Sequence, residues 1–136
     1  MLIRLAHVCL NVADLNQTVA FYHGLIGLPM QFTFEKDGKR CGVYFTVGQQ
    51  TFIEAFQVGG VQVVNTGITH FCLECDDIDA FMADMGAKGV ACTEKKLGCD
   101  HAWQTWLTDP DGNRFEIHQY TNRSSQLNGG VVQVDW

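Results

Sequence analysis

Apolar and polar positions divide the chain into two stretches with the same order of elements. Residues 3–11 and 68–75 are short runs rich in apolar and β-branched side chains, the pattern of strands. An aspartate follows each run, Asp14 and Asp77, placed to cap a helix by accepting from its unpaired backbone N–H groups. Leu15, Val19, Tyr22 and Leu25/Ile26 then recur with helical spacing, and Ile78, Phe81/Met82 and Met85 do so in the second stretch. Gly24/Gly27 and Gly86/Gly89 mark the helix ends. Three strands fit the remainder of each stretch: 28–35, 40–47 and 50–57, then 90–95, 102–108 and 113–120. Lys36-Asp37-Gly38 and Asp109-Pro110-Asp111-Gly112 supply the turn chemistry.

The two stretches are copies of one another. HVCLNVADL at 7–15 overlays HFCLECDDI at 70–78, matching His7 with His70, Cys9 with Cys72, Leu10 with Leu73 and Asp14 with Asp77, all 63 positions apart. Gly27-Leu28 over Gly89-Val90 and Glu54 over Glu116 match at 62, so one residue is lost between the copies. The pattern predicts an α+β fold of two βαβββ modules, 1–57 and 67–120, with a linker at 58–66 and a tail at 121–136. Neither copy can bury a good core alone, so the sheets must meet each other or those of a second chain. The final VVQVDW suits an added strand at a dimer contact.

Composition narrows the partners. Nine basic against fifteen acidic residues give a net charge of −6, and no Lys/Arg block tracks a phosphate backbone, which argues against nucleic acid. The opening MLIRLAHVCLNVADL lacks the apolar length and cleavage site of a secretory signal, and no run is long enough to span a membrane. Six cysteines without a signal are expected as reduced thiols in a cytoplasmic protein. Cys72 and Cys75 form a C-x-x-C, but Cys72 lies in a strand-like run and residues three apart on a strand face opposite ways. Core packing accounts for the pair better than redox or zinc chemistry, which needs a helix N-terminus or a second ligand pair.

Strand alternation sorts the polar residues by face. His7 groups with Leu5, Cys9 and Asn11; Glu54 with Phe52 and Phe56; His70 with Ile68, Cys72 and Glu74; Glu116 with Arg114 and His118. Singly, such a histidine is an ordinary hydrogen-bonded strand residue and such a glutamate faces solvent. Paired by a pseudo-twofold, two imidazoles and two carboxylates converging in a cavity would repel unless a cation neutralised them. That donor set suits a divalent ion of the Ni, Co, Mn, Fe or Zn type.

LAHVCLNVADLNQTVAFYHGLIGL (5–28), FIEAF (52–56), ITHFCLECDDIDAF (68–81) and DPDGNRFEI (109–117) resemble the vicinal oxygen chelate superfamily, which groups glyoxalase I, extradiol dioxygenases and fosfomycin-resistance proteins. The resemblance spans roughly residues 3–120. It implies a cupped half-barrel of paired modules around one metal held by His7, Glu54, His70 and Glu116. This set is similar to that of metal-dependent glyoxalase I, whereas the dioxygenase and fosfomycin branches use only three protein ligands, so Glu54 favours the isomerase or lyase branch. The implied reaction is lactoylglutathione lyase-like: proton transfer beside a metal-chelated carbonyl through an enediolate, with Glu116 as base and Glu54 assisting. The implied substrate is a small molecule with vicinal oxygens, and small members are commonly homodimers whose sites close within one chain or between two.

Departures from the glyoxalase pattern bear on the substrate. Asn11 stands where the glutathione-using enzymes place an arginine, and AFQVGG replaces the segment expected after the second Glu. Another α-hydroxycarbonyl, keto-sugar or thiol adduct is equally compatible. FEIHQYTNRSS resembles the fosfomycin-modifying thiol transferases and hydrolases, and His7, His70 and Glu116 could form the facial triad of an Fe(II) extradiol dioxygenase. A non-catalytic drug-binding protein would be expected to lose ligands that this chain keeps. His118 has Phe56 as its counterpart and is read as supporting Glu116 or touching substrate. His101, Gln104 and Trp106 are further candidate substrate contacts, with Trp103 facing the other way; Lys95 and Lys96 attract an anionic substrate or are solvated surface.

Overall fold

A computed structural model describes residues 5–59, 70–129 and 131–133. Compactness divides the chain into two units, Met1–Thr69 with Asp109–Asn113, and His70–Thr108 with Arg114–Trp136. Each unit carries a four-stranded mixed sheet, and the class is α+β with two modules.

In the first unit, β1 (His7–Val12), β2 (Met30–Lys36), β3 (Lys39–Gly48) and β4 (Thr51–Gln57) form a sheet of order β1-β4-β3-β2. β1 pairs in parallel with β4, and the other pairings are antiparallel. Asp14 caps helix α1 (Leu15–Val19), its Oδ1 accepting from the Asn16 amide at 2.8 Å. The helix widens into a π-helical segment, Ala20–Leu25, a change that the helical spacing does not show. Successive residues Phe21 and Tyr22 are both buried there, with rings 5.1 Å apart edge to face, and an i+5 bond joins the Ile26 amide to the Phe21 carbonyl at 2.9 Å. Gly27 ends the stretch at φ +88°. Leu15, Tyr22, Val43, Phe45, Ile53 and Ala55 form the core between helix and sheet. Between β2 and β3, Asp37 and Gly38 both take positive φ, as a tight hairpin turn requires.

The second unit repeats the topology. β5 (Phe71–Glu74), β6 (Lys96–Leu97), β7 (Trp103–Thr108) and β8 (Arg114–Gln119) take the order β5-β8-β7-β6, with β5 and β8 parallel. Asp77 caps α2 (Ile78–Ala87), whose Ile78 and Met85 are buried. The expected strand at 90–95 is not formed; regular pairing is confined to Lys96–Leu97. At Thr93 one backbone rung remains, its amide donating to the Trp106 carbonyl at 3.0 Å, but the Thr93 hydroxyl replaces its carbonyl as acceptor for the Trp106 amide at 2.9 Å, so regular pairing does not continue. The tail holds a short helix, α3 (Ser125–Asn128), and residues 131–133 form no strand. Residues 60–66 of the expected linker and 134–136 of the tail lie outside the described residues, as do 3–4 and 68–69 of the expected first strands.

The repeat extends to register. Cys9 stands opposite Glu54 across β1 and β4, and Cys72 opposite Glu116 across β5 and β8. Tyr44 is opposite Glu54 and Trp106 opposite Glu116 on the antiparallel side. Gln57 Oε1 accepts from the Leu15 amide at 3.0 Å and Gln119 Oε1 from the Ile78 amide at 3.1 Å, so each last strand also caps its module's helix.

Candidate functional site

Alternation along β4 puts Ile53 and Ala55 in the core and leaves Glu54 on the other face with Phe52 and Phe56. His7 reaches the same carboxylate from β1, Nε2 lying 3.6 Å from Glu54 Oε2. Tyr44 on β3 completes the group, its hydroxyl 2.9 Å from His7 Nδ1. That contact fixes the imidazole plane and leaves Nε2 toward Glu54. Cys9 lies beside them; partial burial, then a hydrogen bond to Glu54 and its charge, push the thiol up to about 11. Phe32 stacks on Tyr44 at 4.5 Å, and Phe34 packs against Phe56 at 4.7 Å, so this pair sits in an aromatic wall. Asn11 is exposed on β1, opposite Phe56.

The second unit holds the equivalent pair with a different surround. His70 Nε2 lies 3.7 Å from Glu116 Oε2, and the His70 ring meets Trp106 edge to face at 4.7 Å, where the first unit has Tyr44. Glu116 is buried although Phe115 and Ile117 occupy the core face, so both sides of β8 are covered. His118 is buried too, 8 % exposed, with Nε2 3.1 Å from Glu116 Oε2. Cys72, Glu116 and His118 bring donor atoms within 4.8 Å of one another. Cys72 is exposed at this face rather than packed in a core; crowding by neighbouring atoms and then the Glu116 charge push its thiol up to about 12. A redox cysteine requires the opposite shift.

Gln104 and Trp106 share the Glu116 face, Gln104 standing opposite His118 across the ladder. They line a cavity of about 270 Å³ with Thr93, Glu94, Lys96 and Arg114. Trp103 instead carries Lys95 over its ring at 4.8 Å, and Lys95 is paired with Asp79 at 2.6 Å, leaving Lys96 as the lysine at the cavity. His101 is not in the strand, as the sequence pattern suggested; it occupies the preceding turn at φ +62°, where its carbonyl accepts from Thr121 and Ser124.

Tyr44 was not a candidate from sequence, because a tyrosine between apolar neighbours reads as packing; its place opposite Glu54, matched by Trp106 opposite Glu116, is the signal that could have found it.

The buried Glu116 carboxylate between the His70 and His118 imidazoles, with the His118 Nε2 left without a hydrogen-bond partner, is a donor set that fits a divalent cation. A family model described as Glyoxalase/Bleomycin resistance protein/Dioxygenase superfamily matches residues 4–117. The chain belongs to this superfamily. Its relatives include a trivalent organoarsenical cleaving enzyme of Bacillus sp. (strain MD1), 28% identical over 90% of this chain and 76% of that protein. Glutathione transferase FosA of Serratia marcescens is 27% identical over 87% of this chain and 82% of its own length. A lactoylglutathione lyase of Arabidopsis thaliana is 26% identical over 85% of this chain but 44% of its own. The fold matches a glyoxalase family protein from Enterococcus faecalis with a TM-score of 0.73 and 19% identity, covering 85% of this chain and 96% of that one. These relatives are named for three different enzymatic activities. No helix among the described residues is long and apolar enough to cross a membrane.

Proposed function

We propose that the protein is a metal-dependent isomerase or lyase of the glyoxalase I type, acting as a homodimer on a small molecule with vicinal oxygens. The observation that carries this reading is the second carboxylate: the first unit pairs His7 with Glu54 just as the second pairs His70 with Glu116. In this reading His7, Glu54, His70 and Glu116 hold one divalent ion of the Ni, Co, Zn, Mn or Fe type. Bound there, the ion supplies Lewis-acid polarisation of the substrate oxygens.

The remaining work falls to the chain. Glu116, largely shielded from water, takes the proton from the carbon next to the carbonyl and returns it to the neighbouring carbon. Glu54 assists from the first unit. Tyr44 holds His7 by its Nδ1, and Trp106 does the equivalent for His70 by ring contact. Gln104, Lys96 and Arg114 provide polar and cationic contacts at the cavity, which suits a substrate with an oxygen-rich or anionic end.

The test is isomerisation of a hemithioacetal and of α-hydroxycarbonyl substrates after loading with each metal, run beside fosfomycin modification and oxygen uptake with a catechol. Glu116→Gln is expected to lower isomerisation by about 10²–10⁴-fold with the fold intact. Full activity in that variant contradicts the assignment. Similarity to FosA makes thiol transfer to fosfomycin the second reading, and modification of fosfomycin without isomerisation would select it.

A further inference from the structure

We propose that His118 is a further protein ligand for the divalent ion, so that the second unit offers His70, Glu116 and His118 where the first offers only His7 and Glu54. The inference rests on the metal reading above and deepens it.

The repeat isolates the anomaly. Phe56 in the first unit pairs with Gly42, and its ring occupies the space a side chain would need: a Cβ on Gly42 would stand 2.6 Å from it. The matching pair in the second unit is His118 with Gln104. A half-buried aromatic position has thus become a buried imidazole beside a polar side chain. Burying an imidazole nitrogen is unfavourable unless it is bonded, yet among the described residues His118 Nε2 is the buried side-chain nitrogen or oxygen atom with no hydrogen-bond partner.

Its surroundings indicate what it would bind. Nε2 is 3.1 Å from Glu116 Oε2 without the alignment of a hydrogen bond. Two atoms each about 2.1 Å from one ion and subtending 90° to 109° are roughly 3.0–3.4 Å apart. The nitrogen and oxygen therefore already have the spacing of neighbouring ligands. His70 lies 3.7 Å from the same oxygen, so Glu116 is flanked by two imidazoles. Among the described residues Glu116 and His118, with Cys72, bring their donor atoms within 4.8 Å of one another, so His118 would share the ion with Glu116.

The test uses ¹⁵N-histidine-labelled protein titrated with Zn²⁺, with Co²⁺ affinity measured by calorimetry on the wild type, His118→Phe, His118→Gln and Glu116→Gln. The expected result is a metal-induced shift of the His118 Nε2 resonance and at least about tenfold weaker Co²⁺ binding in both His118 variants, since even outer partners of ligands cost 10–100-fold. Glu116→Gln, which removes another proposed ligand, should weaken Co²⁺ binding as well. His118→Phe copies the first unit and His118→Gln keeps a polar side chain, so agreement between them separates ligation from misfolding; unaltered melting curves complete that control. If affinity falls but the Nε2 resonance does not move, His118 only positions Glu116 and the proposal is overturned. Wild-type binding with no change in either His118 variant also overturns it while leaving the metal reading standing. No binding by the wild type overturns both.

Discussion

The hydrogen bond from Tyr22 to Asp109 is a sensitive point of the fold, and Tyr22→Phe removes it while keeping the ring. The Tyr22 hydroxyl is 2.9 Å from Asp109 Oδ2, and both residues are buried. Burial and the Asp109 charge push the phenol upward, so it stays a donor across the accessible pH range. Asp109 organises the turn ahead of β8 by also accepting from the Asp111 amide at 3.0 Å, the Asn113 amide at 2.8 Å and the Asn113 side chain at 2.9 Å. A hydrogen bond to a charged group contributes about 1.5–3 kcal/mol. An unfolding entropy of about 2.1 cal/mol/K per residue over 136 residues gives roughly 0.29 kcal/mol/K, so the variant should melt about 5–10 °C lower. The assay is thermal unfolding by circular dichroism, repeated with Asp109→Asn and the double variant. The double variant should be less destabilised than the sum of the singles, because the two groups interact. A shift below about 1.5 °C for Tyr22→Phe, or strict additivity, would refute the reasoning.

Gly42→Ala places its Cβ 2.6 Å from the Phe56 ring and 3.0 Å from the Ala55 carbonyl, and should cost about 1–3 kcal/mol in a denaturation titration; pairing it with Phe56→Leu should recover part of that loss. Asp14→Ala and Asp77→Ala each remove a helix cap and should each lower stability by about 0.5–2 kcal/mol, measured by urea unfolding. Gln57→Ala and Gln119→Ala remove equivalent bonds to the Leu15 and Ile78 amides and should have similar effects to one another in the same experiment. Tyr44→Phe should weaken metal binding by about tenfold through loss of the His7 Nδ1 contact, with little change in melting temperature because Tyr44 is only half-buried.

Much of the architecture was legible because it is set by local chemistry and by repetition. Asp14 and Asp77 cap helices where their positions predicted, and the match of HVCLNVADL to HFCLECDDI, 63 positions apart, becomes a shared register, Cys9 opposite Glu54 and Cys72 opposite Glu116. The His–Glu contacts within each unit follow from parity once those strands pair. The strand expected at 90–95 failed because the Thr93 hydroxyl competes for the Trp106 amide, a choice made by side-chain bonding that an apolar pattern does not record. The π-helical segment likewise answers to packing, with Phe21 and Tyr22 both turned inward. The burial of His118 and its orphaned Nε2 are tertiary properties that strand alternation does not record.

The most direct test of the metal account is elemental analysis of protein purified without chelators, with Glu54→Gln and His70→Ala beside the wild type. The account predicts about one equivalent of a divalent transition metal per site in the wild type and its loss from both variants. A wild type without metal, or variants that retain it unchanged, would contradict the central claim.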